Sequence, residues 1–121
     1  MEIWVNPACS KCRAATKVLD EAGIEYTVRR YLEAPPTRVE ILDVLARLGL
    51  EPWHITRTGE KEAEVVKGLP RDAGARDEWI DALVDHPRLI QRPIITADDG
   101  TTVVGRDAES LTKVMDAQTA G

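Results

Sequence analysis

The sequence predicts a single α/β domain, residues 1–121, in which a βαβ half and a ββα half flank a helical insertion. Two observations support this prediction. A short apolar run gives way to a helical period of apolar residues near the N-terminus, and an Asp-Gly turn joins two apolar runs near the C-terminus. The length of 121 residues suits one domain, and the 43% of apolar residues provide a core and exclude intrinsic disorder. Because the chain contains no Phe, that core must be largely aliphatic.

The N-terminal segment predicts a βαβ unit. Residues 3–5 form a short apolar run with β-branched and aromatic side chains, which indicates a buried strand, and Asn6-Pro7 ends it. From Ser10 onward, alanine, valine and leucine recur on one face of a helix, and Gly23 is well placed to end it. Residues 24–30 alternate in polarity and predict a second strand, parallel to the first and joined to it by a right-handed crossover.

The helical insertion covers about residues 37–90 and follows a Pro-Pro pair. Thr37 and Glu40 form the Thr-x-x-Glu pattern of a capping box, which predicts the start of a helix that Gly49 closes. Residues 52–85 then predict short helical pieces, because glycine and proline interrupt them repeatedly.

The C-terminal segment predicts a β-hairpin followed by a helix. Residues 93–96 and 101–104 are apolar runs, and Asp98-Asp99-Gly100 is a strong turn signal between them. The final helix turns Leu111, Val114 and Met115 inward. The complete order, βαβ, a helical middle and ββα, is that of a thioredoxin-like fold with a helical insertion.

Composition and charge narrow the function classes. Sixteen basic and 21 acidic residues give a formal net charge of −5, which argues against direct binding of nucleic acid or of an anionic membrane. No apolar run approaches the roughly 20 residues of a membrane span, and the N-terminus lacks the pattern of a signal peptide. We therefore expect a cytoplasmic protein, and we expect it to be a monomer.

Two cysteines, Cys9 and Cys12, stand close together in a Cys-Ser-Lys-Cys segment, which in a reducing compartment indicates redox chemistry or metal binding. Cys9 lies where a strand gives way to a helix, and Ser10 is the predicted N-cap. The helix dipole and the charges of Lys11 and Arg13 should favour the thiolate, so we expect the Cys9 pKa to lie below roughly 8.5. Cys12, one turn later, is more shielded and is a candidate resolving thiol.

Other interpretations of the two cysteines are weaker. Buried cysteines are often inert small hydrophobic residues, but a Pro-Ala-Cys turn ahead of a helix is unusual for that role. A zinc site would need His54 or His86, and neither stands at a recognised ligand spacing, so no metal is expected. A phosphatase-type phosphate loop would place arginine six positions after Cys9, where this chain has Ala15.

Three arginines are candidate oxyanion ligands. Arg92 and Arg106 stand beside the predicted hairpin strands, and Arg57 lies in a turn-rich segment. Guanidinium groups converging from loops suit tetrahedral oxyanions, although an arginine taken alone is more often a solvated surface residue. In a thioredoxin-like fold, the proline that opens the third strand is the usual cis-proline, and Pro93 is the candidate here.

Several motifs resemble those of the glutaredoxin-coupled arsenate reductase family, with which the Spx-type transcription regulators share their architecture. The resemblance covers nearly the whole chain and rests on three segments: residues 6–9 (Asn-Pro-Ala-Cys), residues 31–38 (Tyr-Leu-Glu-Ala-Pro-Pro-Thr-Arg), and residues 86–94 from His-Pro to Arg-Pro-Ile. Each motif alone is weak, but their combination is specific.

The resemblance implies a thioredoxin-like fold and a thiol-dependent arsenate reductase. It implies that Cys9 attacks arsenate to form a thiol–arsenate adduct, and that Arg57, Arg92 and Arg106 hold the oxyanion. Arsenite then forms with an external thiol reductant (glutathione and glutaredoxin, or thioredoxin), and no bound cofactor is expected.

Two departures from the family pattern bear on the function. The best-known reductases carry a histidine before Asn-Pro-Ala-Cys, where this chain has Val5, and they usually lack a second cysteine at the position of Cys12. The Cys-x-x-Cys pair therefore leaves open a redox-sensing regulator that binds RNA polymerase through a Cys9–Cys12 switch. A general thiol–disulfide oxidoreductase, which an insulin-reduction assay would reveal, is a third alternative.

Overall fold

The computed structural model describes residues 1–120 and divides into two compact units. The first unit combines Met1–Ala34 with the chain from Arg92 onward, and the second covers Pro35–Gln91. The predicted insertion, residues 37–90, lies within the second unit. That the whole chain forms one domain stays a prediction.

Within residues 1–120, four strands and four α-helices occur in the predicted order. In chain order they are β1 (Glu2–Val5), α1 (Ser10–Glu21), β2 (Thr27–Arg30), α2 (Arg38–Leu48), α3 (Arg76–Asp85), β3 (Ile94–Thr96), β4 (Thr102–Val104) and α4 (Ala108–Thr119). Short 3₁₀ turns at Pro52–Ile55, Lys61–Val66, Ala73–Ala75 and Pro87–Leu89 occupy much of the remaining middle of the chain.

All four strands belong to one sheet in the first unit, in the order β2-β1-β3-β4. β1 pairs parallel with β2, and both β1–β3 and β3–β4 are antiparallel. The register places Ile3 opposite Val28 on one side and opposite Ile95 on the other. This mixed sheet confirms the predicted thioredoxin-like arrangement.

Helices α1 and α4 cover one face of the sheet. Alternate strand residues point toward them because successive side chains of a strand face opposite sides. The buried core of this layer is aliphatic apart from the two cysteines, and it consists of Ile3, Val5, Cys9, Cys12, Ala15, Leu19, Ile95, Ala97, Val103, Leu111 and Val114. Both cysteines are therefore built into the core that holds α1 on the sheet.

The second strand is shorter than predicted. α1 ends with Gly23 in the left-handed region at φ 70°, and the Ile24 N–H donates to the Leu19 carbonyl at 3.1 Å. This bond satisfies a carbonyl near the end of the helix. The residues after Gly23 therefore complete the helix end, and the ladder with β1 begins only at Thr27, instead of residue 24 as the alternation suggested.

The second unit contains α2 and α3, which pack against each other. The Thr37 side chain accepts from the Glu40 N–H at 3.2 Å, and the Glu40 carboxylate accepts from the Thr37 N–H at 3.0 Å, which confirms the predicted capping box. Gly49 ends α2 at φ 66°, a left-handed conformation that costs glycine little. The middle of the chain is helical in short pieces, as predicted.

The C-terminal hairpin turns at Gly100, which has φ 93°, and the Thr101 N–H donates to the Asp99 carboxylate at 2.9 Å. Beyond β4, Gly105 packs closely against the core. A Cβ at this position would lie 2.5 Å from Ile95 Cδ1 and 3.2 Å from Leu111 Cδ2. Only a residue without a side chain therefore fits directly before Arg106 unless Ile95 moves.

Candidate active site

The loop between β1 and α1 is organised by Asn6. Its backbone carbonyl accepts from the Cys9 N–H at 2.9 Å, and its side-chain oxygen accepts from the Ala8 N–H at 3.1 Å. The Arg13 guanidinium donates to the Pro7 carbonyl at 3.1 Å and ties the same loop to α1. These bonds place Cys9 directly at the start of the helix.

Cys9 itself is the N-cap of α1, and Ser10 is the first helical residue, so the prediction of Ser10 as N-cap was wrong. Cys9 has extended backbone angles (φ −87°, ψ 125°), and its carbonyl accepts the first helical bond from the Arg13 N–H at 3.1 Å. At this position the thiol, and not the serine hydroxyl, lies at the positive end of the helix.

The environment of Cys9 favours the thiolate. Burial is the largest single effect and opposes ionisation, but four favourable interactions outweigh it: hydrogen bonding by the Cys12 N–H, the Cys12 S–H and the Lys11 N–H, and the positive charge of Arg92. Together they lower the pKa of Cys9 from 9.0 to about 7. At neutral pH a much larger fraction of the Cys9 thiols is therefore ionised than at the ordinary pKa of a cysteine.

The sources of positive charge agree in part with those expected. The sequence pointed to the helix start, to Lys11 and Arg13 and to nearby arginines. The charge acting on Cys9 is that of Arg92, and Lys11 acts through its backbone N–H. Val5, at the position of the family's histidine, is buried. No ionisable side chain at that position is needed to bring the Cys9 pKa close to neutrality.

Cys12 has the opposite character. Burial is the largest cause and raises its pKa, the Asn6 N–H lowers it, and the neighbouring Cys9 raises it through its charge and its hydrogen bond. The pKa of Cys12 is consequently about 11. At neutral pH Cys12 stays a thiol, and its S–H donates a hydrogen bond to the Cys9 thiolate.

Arg92 and Arg106 lie together in the first unit. The Arg106 guanidinium donates to the Arg92 carbonyl at 2.7 Å, and the charge of Arg92 acts on both cysteines. The buried Arg92 Nε has no hydrogen-bond partner within residues 1–120. A buried guanidinium donor without a protein partner is suited to an anionic ligand.

Arg57 lies in the second unit. Its guanidinium contacts the Glu60 carboxylate at 2.8 Å and donates to the Arg88 carbonyl at 3.2 Å. These partners already occupy part of its donor capacity. Its role as an oxyanion ligand stays a prediction.

The remaining predicted features are located as follows. The Arg92–Pro93 peptide bond is cis, and the Pro93 carbonyl accepts from the Gly105 N–H at 2.9 Å. Among residues 1–120, no group of three or more His, Cys, Asp or Glu side chains is arranged to hold a metal ion. In that same part of the chain, no helix combines the length and the apolarity that crossing a membrane requires.

Two hydrogen bonds at the site were not predicted from the sequence. In one, the Cys12 S–H donates to Cys9, and in the other, the backbone N–H of Asn6 donates to Cys12. The Cys-x-x-Cys spacing was a usable signal for the first, because residues three apart face each other on a helix. The second depends on the path of the loop backbone, for which only the Asn-Pro turn signal was available.

We expect Cys12→Ala to raise the pH at which Cys9 becomes reactive, because the variant removes the S–H donor. In the wild-type protein, alkylation of Cys9 by iodoacetamide should rise through a midpoint near pH 7, and the midpoint should move to higher pH in Cys12→Ala. Cys12→Ser keeps a hydroxyl donor and is the matched control. An unchanged midpoint in Cys12→Ala would show that Cys12 does not stabilise the thiolate.

Comparisons with known proteins identify the family of this chain. The family model of the ArsC family matches residues 4–114. A Streptomyces viridochromogenes protein, described as an uncharacterized protein in the glnII region, is 66% identical over 92% of this chain and 95% of its own. An arsenate reductase of Neisseria meningitidis is 36% identical over 95% of this chain and 97% of its own.

Solved structures that are similar to this chain also include an arsenate reductase. An arsenate reductase from Vibrio cholerae superposes with a TM-score of 0.73 at 30% identity and covers 96% of this chain and 97% of its own. A Yersinia pestis protein superposes with a TM-score of 0.80 at 30% identity and covers 93% of this chain and 98% of its own. The chain therefore belongs to the ArsC family, and its fold is the thioredoxin-like fold of that family's arsenate reductases.

Proposed function

We propose that this protein is a thiol-dependent arsenate reductase in which the Cys9 thiolate is the nucleophile. The observation that carries the proposal is the pairing of Cys9, whose pKa is about 7, with Arg92, whose buried Nε has no partner in residues 1–120. A nucleophile and an anion-binding donor in the same place are what attack on an oxyanion requires. Similarity to arsenate reductases over nearly the whole chain supports arsenate as that oxyanion.

In the first step arsenate binds and Cys9 attacks it. Arg92 and Arg106 are the proposed ligands, and the N–H groups at the start of α1 add donors. A bond forms between Cys9 Sγ and arsenic while an arsenic–oxygen bond breaks. The departing oxygen takes up protons and leaves as water, and arsenic stays pentavalent.

In the second step a thiol attacks Cys9 Sγ. A disulfide bond forms and the sulfur–arsenic bond breaks, so its electron pair passes to arsenic and arsenite is released. Cys12 is the proposed thiol, and its hydrogen bond to the Cys9 sulfur supports this role. Once Cys9 is bonded to arsenic, the Cys9 charge that raises the Cys12 pKa is gone, which favours the Cys12 thiolate.

The oxidised cysteines must then be reduced from outside. We propose a glutathione–glutaredoxin or a thioredoxin-type donor, which supplies two electrons per arsenate and restores both thiols. If Cys12 does not resolve the adduct, the external thiol attacks Cys9 directly, and the electron count is the same.

A single-turnover assay tests this function. The fully reduced protein is mixed with arsenate, and arsenite and free thiols are measured with and without added glutathione. We expect arsenite in step with the loss of thiols, whereas phosphate, which a thiol does not reduce, should leave the thiols intact. Failure to form arsenite with glutathione, glutaredoxin or thioredoxin would refute the proposal.

The contact between Cys9 and Cys12 also favours a second candidate, a redox-sensing regulator that binds RNA polymerase. A disulfide between two adjoining cysteines can report oxidative conditions without any oxyanion. A pull-down with RNA polymerase that differs between the oxidised and the reduced protein would support this role. Equal, negligible binding in both states would count against it.

A further inference from the structure

A cleft of about 390 Å³ opens beside Cys12 in the first unit. Its lining residues come from the end of β1 and the loop after it, from α1, and from β2 and the residue before it, and they include Val5, Cys12 and Thr16. Cys9 is not among them. The volume lies within the range of roughly 300–1,000 Å³ that is usual for sites of small organic ligands.

The cleft exists because α1 does not fully cover the edge strand β2. Val28 lies opposite Ile3 in the register and therefore shares the face of the sheet on which α1 packs. Ile3 is completely buried, yet Val28 is 47% exposed. An apolar wall is thus left open to solvent next to Cys12.

The rim of the cleft is positively charged. Its lining residues include two arginines, Arg13 and Arg30, and no acidic side chain. Glu33 approaches Arg30 at 3.8 Å, but both side chains of that pair are largely exposed, so the interaction is weak. In a protein with a net charge of −5, such a local excess of positive charge favours an anionic ligand.

We infer that this cleft admits an anionic low-molecular-weight thiol, which reduces a Cys9–Cys12 disulfide by attacking Cys12 Sγ. The inference rests on the proposed function, because the disulfide is the oxidised product of that reaction. The reductant thus attacks the sulfur of the second cysteine, Cys12, and Cys9 is released as the leaving group.

The reduction of the disulfide consists of two successive thiol–disulfide exchanges. The incoming thiolate forms a bond to Cys12 Sγ, the Cys9–Cys12 bond breaks, and Cys9 leaves with the electron pair. A second molecule of the same thiol then attacks the first one's sulfur, so that a small disulfide departs and Cys12 takes up a proton.

The chemistry of the leaving group agrees with the position of the cleft. A thiol with a lower pKa leaves faster in disulfide exchange. The helix N–H groups and Arg92 stabilise the Cys9 thiolate, while burial disfavours the Cys12 thiolate. Attack at Cys12 therefore expels the better leaving group.

Peptide mapping after a short reaction tests the direction of attack. The protein is oxidised with diamide, mixed with 2-mercaptoethanesulfonate, and quenched with N-ethylmaleimide. Trypsin cleaves after Lys11 and so separates the two cysteines. We expect mercaptoethanesulfonate on Cys12 and maleimide on Cys9, and the reverse labelling would overturn the inference.

Charge variants test the cleft as the entry route. Arg30→Gln should lower the rate of reduction by mercaptoethanesulfonate by about threefold, and leave reduction by neutral 2-mercaptoethanol unchanged. Lys113→Gln, which removes an exposed charge of α4 that does not line the cleft, is the matched control. An equal effect of Arg30→Gln on both thiols, or no effect on either, would contradict the inference.

These experiments use no arsenate, so their result is separate from that of the proposed function. A protein that reduces arsenate but is labelled on Cys9 would refute only the direction of attack. Failure of diamide to form the disulfide would refute the inference as well, and would leave arsenate reduction through a directly attacking external thiol intact.

Discussion

Cys9→Ser is expected to lower the rate of arsenate reduction by about a thousandfold or more, because the variant removes the sulfur that bonds to arsenic. A serine hydroxyl stays protonated in a site whose N–H groups and Arg92 bring the pKa of a thiol only to about 7. Arsenite formed in a single turnover at saturating glutathione measures the effect. Arsenite formation at more than a tenth of the wild-type rate would remove Cys9 from its proposed role.

Cys12→Ser is the matched control for that experiment. It keeps a hydroxyl donor beside Cys9 and alters neither the start of α1 nor Arg92, so the thiol–arsenate adduct should still form. Without an external thiol, arsenite release should stop at the adduct, and glutathione should restore it. Release of arsenite by the wild-type protein only after glutathione is added would show that Cys12 is not the resolving thiol.

The largest effect on stability is expected for Ile95→Ala, which should lower the free energy of unfolding by about 3 kcal/mol. Ile95 is completely buried in β3, between Ile3 and Val103 in the register, and its Cδ1 occupies the space that Gly105 leaves open. Truncation to alanine therefore loses buried methyl groups and leaves a cavity between the sheet and α4. Equilibrium unfolding in urea, monitored by tryptophan fluorescence, measures the change.

Ile95→Val is the conservative control and should cost only about 1 kcal/mol, since it removes a single methyl group. The denaturant slope should stay the same in both variants if only the native packing is altered. A loss below about 1 kcal/mol in Ile95→Ala would mean that the surrounding core collapses into the cavity.

Most of the fold followed from local patterns in the sequence. The capping box at Thr37, the glycines that end α1 and α2, and the Asp-Gly hairpin are signals carried by a few adjacent residues, and each appears where it was expected. The start of β2 was misplaced because Ile24 completes the end of α1 through a bond to Leu19, a bond that alternation of polarity does not reveal.

The candidate site was predictable in its residues and only partly in its electrostatics. The two cysteines and Arg92 were identified from spacing and motif, yet the N-cap was assigned to Ser10, because serine is a common cap and cysteine is not. The charge that acts on Cys9 comes from Arg92, on the chain leading into β3. Such a contact depends on strand pairing between distant segments, which no local pattern contains.

The pairing of β1 with β3 also constrains the order of folding. Ile3 can pair with Ile95 only after the entire second unit has been synthesised. This central contact of the sheet therefore closes a long loop and joins residues that are far apart in the sequence. Arg92 comes into place with β3. During synthesis the Cys9 thiolate should therefore lack the stabilising charge of Arg92 until the sheet closes, whereas the hydrogen bonds from Lys11 and Cys12 come from residues next to it in the chain.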